Sequence, residues 1–552
     1  MKTLYKTFLA FLILLTLSFT ACSSSGGGTE TGNGILNSDI DGKDSVVIKD
    51  SVIIRDSIVI RDSIVTKDSI ITKDSIIYRD SIINKDSSET GVQTFTGYVQ
   101  KGPFLDGSSV YIFELDDEEL MQTGKVFHGK TENKGLFKIS NVKFQSRFAI
   151  LEATGYFINE ITGNESSSQI TMRAIADVTE KESININFLT QLEYDRVMYL
   201  VQNKHASLSD AKQQARKEIL ATFFNTSSDF AFEDMNIFGD SDKDAMLLAI
   251  SVLVLDNNSD AKYSQVISQF SQDIEIDGLF NDSTLRVQIA DNVAFFTDLA
   301  KIRKNVEKIN SGKAPNFEKY IQMFWTNEFG LGKCDAQNKG KIQQNQNMRS
   351  GYRTTRFLCD GENWEPYYFN EDCNYGTFTD ERDGYTYRTT TIGDQTWLAE
   401  NLQYKGNGYN CYNDNEMYCK KYGAYYNYAQ IECPAGWHLP DTTEWAKLFE
   451  AVGGEAVASK ALRSRGGWDR NIDVNENIVD DQDEFCFSAL PAGVFGIGAE
   501  GVLAYFYTSS MIERDGVVLG AWNRVINNTD DIGKSNMYNT TSVTVRCVMD
   551  SE

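Results

Sequence analysis

Eight of the nine cysteines in this 552-residue chain are crowded into its last part, at Cys334, Cys359, Cys373, Cys411, Cys419, Cys433, Cys486 and Cys547. The ninth, Cys22, stands apart near the N-terminus. In an exported chain an even set reads as disulfides, and eight cysteines leave the connectivity open. Two pairings are local: Cys334–Cys359 closes a small hairpin, and Cys411–Cys419 closes a short loop rich in Asn and Asp. A zinc site fails on spacing, because there is no Cys-x-x-Cys pair and His128, His205 and His438 are scattered. The net charge of −25 argues against a nucleic-acid partner, whose affinity comes mainly from neutralising phosphates.

The case for export lies at the other end. Lys2 and Lys6 form a positive n-region, Phe8 to Phe19 a short apolar core, and Phe19-Thr20-Ala21-Cys22 resembles a bacterial lipobox with Phe in place of the usual Leu. The expectation is a signal peptide over 1–21 and acylation of Cys22. The apolar run is too short for a membrane span, so the lipid would be the anchor. Ser23, where inner-membrane retention uses Asp, points to the outer membrane; an outward face is expected separately. Residues 22–43 are Ser/Gly-rich and read as a flexible tether.

A repeat of seven hexads follows within 44–91, each Asp-Ser-aliphatic-aliphatic-x-Lys/Arg. Six residues advance a helix by ~600°, so no helical seam persists. A strand keeps its register, because six is a multiple of two. The reading is a stalk, an extended spacer of up to ~140 Å at ~3.3 Å per residue, or a β-solenoid or multi-chain fibre. Every hexad also resembles the Asp-Ser-aliphatic O-glycosylation sequon of Bacteroidetes-type bacteria, which makes Ser45, Ser51, Ser57, Ser63, Ser69, Ser75 and Ser81 candidate acceptors.

Residues 92–175 alternate apolar and polar in short runs at Thr96–Val99, Val110–Phe113, Gly135–Ile139 and Phe148–Leu151, with Gly-rich turns between. Thr131…Gly135-Leu136-Phe137 is similar to the strand entry of carboxypeptidase-regulatory or transthyretin-like β-sandwiches. Residues 176–330 switch to helical spacing and are expected to dock on the sandwich. Ser207 or Ser209 would cap a helix over 210–224. Asp240, Asp242 and Asp244 lack the Gly and Glu of an EF-hand and read as charges at the start of a helix over 245–255. Phe295, Phe296, Phe317, Tyr320, Phe324 and Trp325 fall at core spacing. Residues 331–373 form a small stapled adaptor.

The segment 374–552 carries the most specific signals: Trp397-Leu398-Ala399-Glu400-Asn401-Leu402, then Cys433-Pro434-Ala435-Gly436-Trp437-His438-Leu439-Pro440 running into Glu444-Trp445, then Phe487–Gly493, then Arg546-Cys547. Thr442 or Thr443 would cap a helix with Trp445, Leu448 and Phe449 on one face. Order and wording resemble the Fibrobacter succinogenes major paralogous domain (FISUMP), a module of bacterial surface and secreted proteins. The Leu-Pro…Glu-Trp core is similar to the C-type-lectin-like and formylglycine-generating-enzyme fold. The resemblance implies a Cys433–Cys547 bridge from its recurrent Cys-Pro and Arg-Cys motifs, which leaves Cys373–Cys486 by elimination. It implies no enzyme, because the paired late cysteines of the formylglycine-generating relatives are reduced here to Cys547.

The fold class expected is therefore multidomain α+β. No catalytic constellation can be named; acidic pairs drawn from Asp380, Glu381, Glu400 or Glu444 occur by chance among 78 acidic residues. Binding has more material. Trp468, Tyr507 and Trp522 are candidate stacking residues for sugar rings. Asp473, Asn475, Asn477 and Glu484 fall at positions 1, 3, 5 and 12 of an EF-hand frame, but Ile478 stands where Gly is required. Calcium in that loop is the one cofactor considered, and a solvated acidic loop is expected. The expectation is a surface lipoprotein that recognises plant-cell-wall or surface polysaccharide. A scaffold for envelope proteins and a carbohydrate-active enzyme are the alternatives. The hexads yield a direct test: sugars on the seven serines make the intact mass of residues 40–90 exceed the sequence mass, and an unmodified mass removes them.

Overall fold

The computed structural model describes residues 51–54, 57–60, 93–179, 181–226, 228–254, 260–406, 408–469, 483–528 and 532–551. The signal segment, Cys22, the tether and Ser45, Ser63, Ser69, Ser75 and Ser81 lie outside the described residues. The chain divides into two units, Met1–Ser88 and Glu89–Glu552. In the first, two hexads form strands, β1 (Ser51–Ile54) and β2 (Ser57–Ile60). They pair antiparallel with Val52 opposite Val59. Over these two hexads the six-residue period becomes strand, and the two strands pair with each other.

The second unit opens with a β-sandwich. Its strands are β3 (Gln93–Gln100), β4 (Ser109–Leu115), β5 (Gln122–Glu132), β6 (Leu136–Val142), β7 (Phe148–Gly155), β8 (Ile170–Asp177) and β9 (Ile186–Asn187). They hydrogen-bond in the order β8-β7-β4-β5-β6-β3-β9. β5 turns the corner, pairing with β4 as far as Lys130 and with β6 through Thr131 and Glu132. Val110 and Ile112 of β4 meet Phe95, Val99 and Phe137 of β3 and β6 in one core. Its sequence hides β5, because Gln122–Glu132 buries only Thr131 and lacks an apolar face. Gly135 (φ 81°) follows Asn133 and Lys134 in a left-handed turn, and a Cβ there would lie 2.4 Å from the Val99 carbonyl. Only glycine fits so close an approach.

Alternation in β4 leaves a second apolar face, carrying Leu115. Together with Ile150 and Ile175 it packs under α1 (Phe188–Lys204) and α2 (Leu208–Phe224), through Val197, Leu200, Leu208 and Ala211. The helices therefore dock on the outside of the sandwich. Asn187 ends β9 and caps α1 with Thr190, so strand passes to helix without a loop. Ser207 caps α2 by accepting from the Asp210 N–H. Buried Lys101 ties the two layers, donating to the Ser251 carbonyl (2.7 Å) and hydroxyl (2.9 Å) of α3 (Asp242–Val254). Asp244 of α3 accepts from the Ser241 N–H at the helix start (3.3 Å) and ties down the preceding loop by accepting from the Asn236 N–H (2.8 Å). α4 (Asp260–Asp277), α5 (Ser283–Phe295), α6 (Leu299–Asn310) and α7 (Glu318–Glu328) complete the layer.

β10 (Ile342–Gln344), β11 (Arg356–Cys359) and β12 (Trp364–Tyr367) make a three-stranded antiparallel sheet stapled by Cys334–Cys359. Phe357, Cys359 and Trp364 belong to the same core as Phe295, Trp325 and Phe329, so this segment closes the helical layer.

The terminal module holds a five-stranded sheet in the order β13-β14-β15-β22-β17, formed by Gly376–Thr379, Thr386–Ile392, Gln395–Leu398, Val548–Met549 and Trp437–His438. β16 (Tyr425–Tyr426) pairs with β21 (Val543–Thr544), while β18 (Leu503–Arg514), β19 (Val517–Asn527) and β20 (Ile532–Met537) form a third sheet. α8 spans Glu416–Tyr422, α9 Thr442–Ala451 and α10 Glu455–Leu462. The α9 cap is Asp441, not Thr442 or Thr443; its carboxylate accepts from the N–H groups of Thr443 and Glu444, and Glu444 returns a bond to the Asp441 N–H. A charged oxygen in extended backbone satisfies the first turn better than a hydroxyl one residue inside it. Trp445, Leu448 and Phe449 are buried, as their spacing requires.

Arg546 is the hub. Fully buried, its guanidinium donates to the carbonyls of Leu398 (2.9 Å), Phe487 (2.5 Å) and Ser488 (3.3 Å) and to Asn401 Oδ1 (2.8 and 3.0 Å). It lies over the Phe487 ring at 4.5 Å. Arg546→Met strands those acceptors in a dry core and is expected to cost ~3–5 kcal/mol. Urea unfolding under non-reducing conditions measures it; a loss below ~1 kcal/mol would remove the hub assignment.

Candidate functional site

A cleft of about 1120 Å³ opens between the helical layer, the stapled sheet and the terminal module. Its helical wall includes Asp298, Arg303, Glu318, Lys319 and Gln322; Glu362–Pro366 and Phe369 form a second wall. The module contributes Tyr385, Arg388, Glu400, Gln403, Tyr409 and, from α8, Glu416, Met417 and Lys420 to Tyr422. The walls are tied across the cleft: Asn415 donates to the Phe296 carbonyl at 2.6 Å, and Lys420 pairs with Glu365 at 2.7 Å.

Although the chain is strongly acidic, the cleft wall carries paired charges. Arg388 meets Glu400 at 2.9 Å, Lys405 meets Glu416 at 3.2 Å and Arg303 meets Glu318 at 2.6 Å. Glu400 also accepts from the Tyr385 hydroxyl (2.9 Å), and Arg388 lies 4.0 Å over the Phe369 ring. Tyr385 is 37 % exposed, and Tyr409, half-buried, donates to Glu416 at 2.8 Å. The cleft thus offers directed donors and acceptors beside aromatic faces.

Lys421 breaks this pattern. Half-buried on α8, it has no ion pair and no hydrogen bond among the described residues, and its ammonium lies over three tyrosine rings, Tyr422 (4.5 Å), Tyr352 (5.4 Å) and Tyr368 (5.6 Å). Burial lowers its pKa to about 8, against the upward pull of Asp469 and Glu500. Those two carboxylates line a smaller cavity of about 330 Å³ behind α8, which Lys421 also borders. Helix placement follows from local chemistry. Cys411–Cys419 staples α8, Asn401 Nδ2 donates to the Tyr422 carbonyl at 2.7 Å, and a Cβ on Gly423 (φ 84°) would lie 2.5 Å from Asn401 Cβ.

The stacking candidates from sequence are placed elsewhere. Trp468 is 2 % exposed, donating from Nε1 to the Ala489 carbonyl at 3.1 Å, and Tyr507 is 0 % exposed, its hydroxyl 2.8 Å from the Thr541 carbonyl. Both are core residues with no ring face for a ligand; their strand and turn positions face inward. Trp522 is half-buried, with Lys534 4.1 Å over its ring, and is remote in sequence and lining from the cleft. Glu484 is exposed, while Asp473, Asn475 and Asn477 lie outside the described residues. Among the described residues no cluster of three or more His, Cys, Asp and Glu could hold a metal. The disulfides are Cys334–Cys359, Cys373–Cys486, Cys411–Cys419 and Cys433–Cys547. His438 is held between Asp550 (2.6 Å) and Glu444 (2.8 Å); burial pulls its pKa down, but the hydrogen bonds and charges of the two carboxylates together outweigh it and the net shift is upward.

Sequence reasoning missed the cleft because its walls come from three separated stretches. The usable signal was the Trp397–Leu402 motif, whose Glu400 and Asn401 line it, and the tyrosine-rich stretch from Tyr404 to Tyr428, of which Tyr409 and Tyr422 line it.

Residues 390–549 match the family model described as the Fibrobacter succinogenes major domain. The terminal module is therefore similar to that domain, as its motifs indicate. No curated protein and no solved structure matches the chain. Among the described residues no helix is long and apolar enough to cross a membrane.

Buried Asp483 lies beside the Cys373–Cys486 bridge and accepts from the Ser488 N–H (2.8 Å) and hydroxyl (2.6 Å). Burial raises its pKa from 3.8 to about 6, against those hydrogen bonds and the Arg546 charge. The folded state then binds this proton more tightly than the unfolded chain, so the group's contribution to stability grows as pH falls from about 6 towards 4. The change is on the order of 3 kcal/mol. Asp483→Asn should flatten that slope in denaturant melts between pH 4 and 7; an unchanged slope would place the titration elsewhere.

Proposed function

We propose that the protein is a surface-displayed binding protein whose cleft takes a segment of polysaccharide. The observation that carries this is the composition of the cleft wall. Pyranose hydroxyls need fixed donors and acceptors beside an aromatic face, and Arg388–Glu400, Lys420–Glu365 and Lys405–Glu416 flank Tyr385, Phe369 and Tyr409. The volume suits several sugar rings rather than one, since drug-sized sites run to roughly 1,000 Å³.

Four disulfides support export, and lipid on Cys22 would hold the chain at the outer membrane with the hexads as its stalk. A binding role is favoured over hydrolysis because Glu318, Glu365, Glu400 and Glu416 are each held in an ion pair, whereas a general acid needs surroundings that favour its neutral form. An envelope-protein partner is the second reading, favoured by exposed Val517, Val518 and Leu519 on β19.

The test is retention of the full mature protein on cellulose, xylan and pectin, with reducing-sugar release assayed in the same mixtures. Tyr385→Ala and Tyr409→Ala are expected to lower retention at least tenfold with unchanged melting, and Trp522→Ala to leave it intact. Absence of retention on every polymer refutes the reading. Sugar release makes the protein an enzyme instead.

A further inference from the structure

The cations of the cleft wall are matched one by one, except at Lys421. Arg303, Arg388, Lys405 and Lys420 each hold a carboxylate of the same cleft, and Lys319 holds Asp242 at 2.6 Å. Lys421 alone among them has rings and no acceptor among the described residues. Three tyrosine faces stabilise a positive charge. Ring faces give the ammonium's three N–H donors no lone-pair acceptor, so a charged acceptor would add what the rings lack.

We infer that Lys421 is the contact for a carboxylate carried by the glycan, so that the cleft selects a uronic-acid polysaccharide over a neutral one. This rests on the reading of the cleft as a glycan site. A carboxylate would give Lys421 the charge-assisted bonds that the wall withholds. A neutral hydroxyl would satisfy one donor without balancing the charge. Asp469 and Glu500, which line the smaller cavity, pull on the amine from a distance, and neither comes within ion-pair distance among the described residues, so Lys421 borders the cleft without a paired carboxylate among them. The position is also fixed: the Cys411–Cys419 staple holds the middle of α8 and the Asn401–Tyr422 bond its C-terminal end. At a net charge of −25 the protein as a whole repels a polyanion. A preference for an acidic glycan therefore has to come from a local cation, and general electrostatics work against it.

The experiment compares an oligogalacturonate with its methyl ester, which share a backbone and differ in charge, alongside xylan and cellulose oligomers, all on the full mature protein. The acid form is expected to bind at least tenfold more tightly than the ester. Lys421→Met should erase that difference while Lys421→Arg keeps most of it, both with unchanged melting temperature. As a second readout, the acid form should raise the pKa of Lys421 from about 8 and slow its reaction with amine reagents, and the ester should do neither. Equal binding of acid and ester, or a preference that survives Lys421→Met, overturns the assignment while the glycan cleft stands. Failure of all the oligomers to bind removes the cleft reading itself.

Discussion

The terminal module depends on a buried guanidinium. Arg546 sits where three separated segments converge, and five donated hydrogen bonds join the Trp397–Leu402 turn, the Phe487–Gly493 turn and the last strand. A planar fork suits this work, since it satisfies carbonyls that no strand ladder reaches. The cost is desolvation of a charge, which presses the Arg546 pKa down, with Glu400 and Asp483 opposing that pressure. Cys433–Cys547 fastens the neighbouring residue to a segment 114 positions away, so the hub and the staple act on one strand end.

From that hub the constraint runs outward to the cleft. Asn401 accepts from Arg546 and donates to the Tyr422 carbonyl, so the residue that completes the core also seats α8. α8 in turn carries Lys420, Lys421 and Glu416 into the cleft wall. The proposed binding surface would rest on an element fixed by a staple and a buried hydrogen-bond relay, an arrangement that keeps the ordering cost of capturing a ligand low. The opposite wall is equally firm: Trp325 and Trp364 sit in the helical core while bordering the cleft.

Local chemistry made much of this architecture legible. Apolar alternation marked β3, β4, β6 and β7, and Ser207 and the Trp445, Leu448, Phe449 face marked two helices. β5 escaped because a strand at the sandwich corner, buried only at Thr131, shows no period. Trp468 and Tyr507 were misread for the converse reason. Large aromatic residues suit a sugar face and a core equally well, and only the packing around them decides between the two.

The sequence by itself determined what is local or countable: strand register in a six-residue repeat, caps and turns, an even cysteine set, and the ordered motifs that match the Fibrobacter succinogenes major domain over 390–549. Those features follow from backbone sterics and short-range hydrogen bonds, which travel with the residues. Tertiary structure alone decided the cleft, the ring-lined setting of Lys421 and the burial of Asp483. Each depends on segments brought together from far apart in the chain, and burial and charge pairing are properties of that assembled environment rather than of any residue in it.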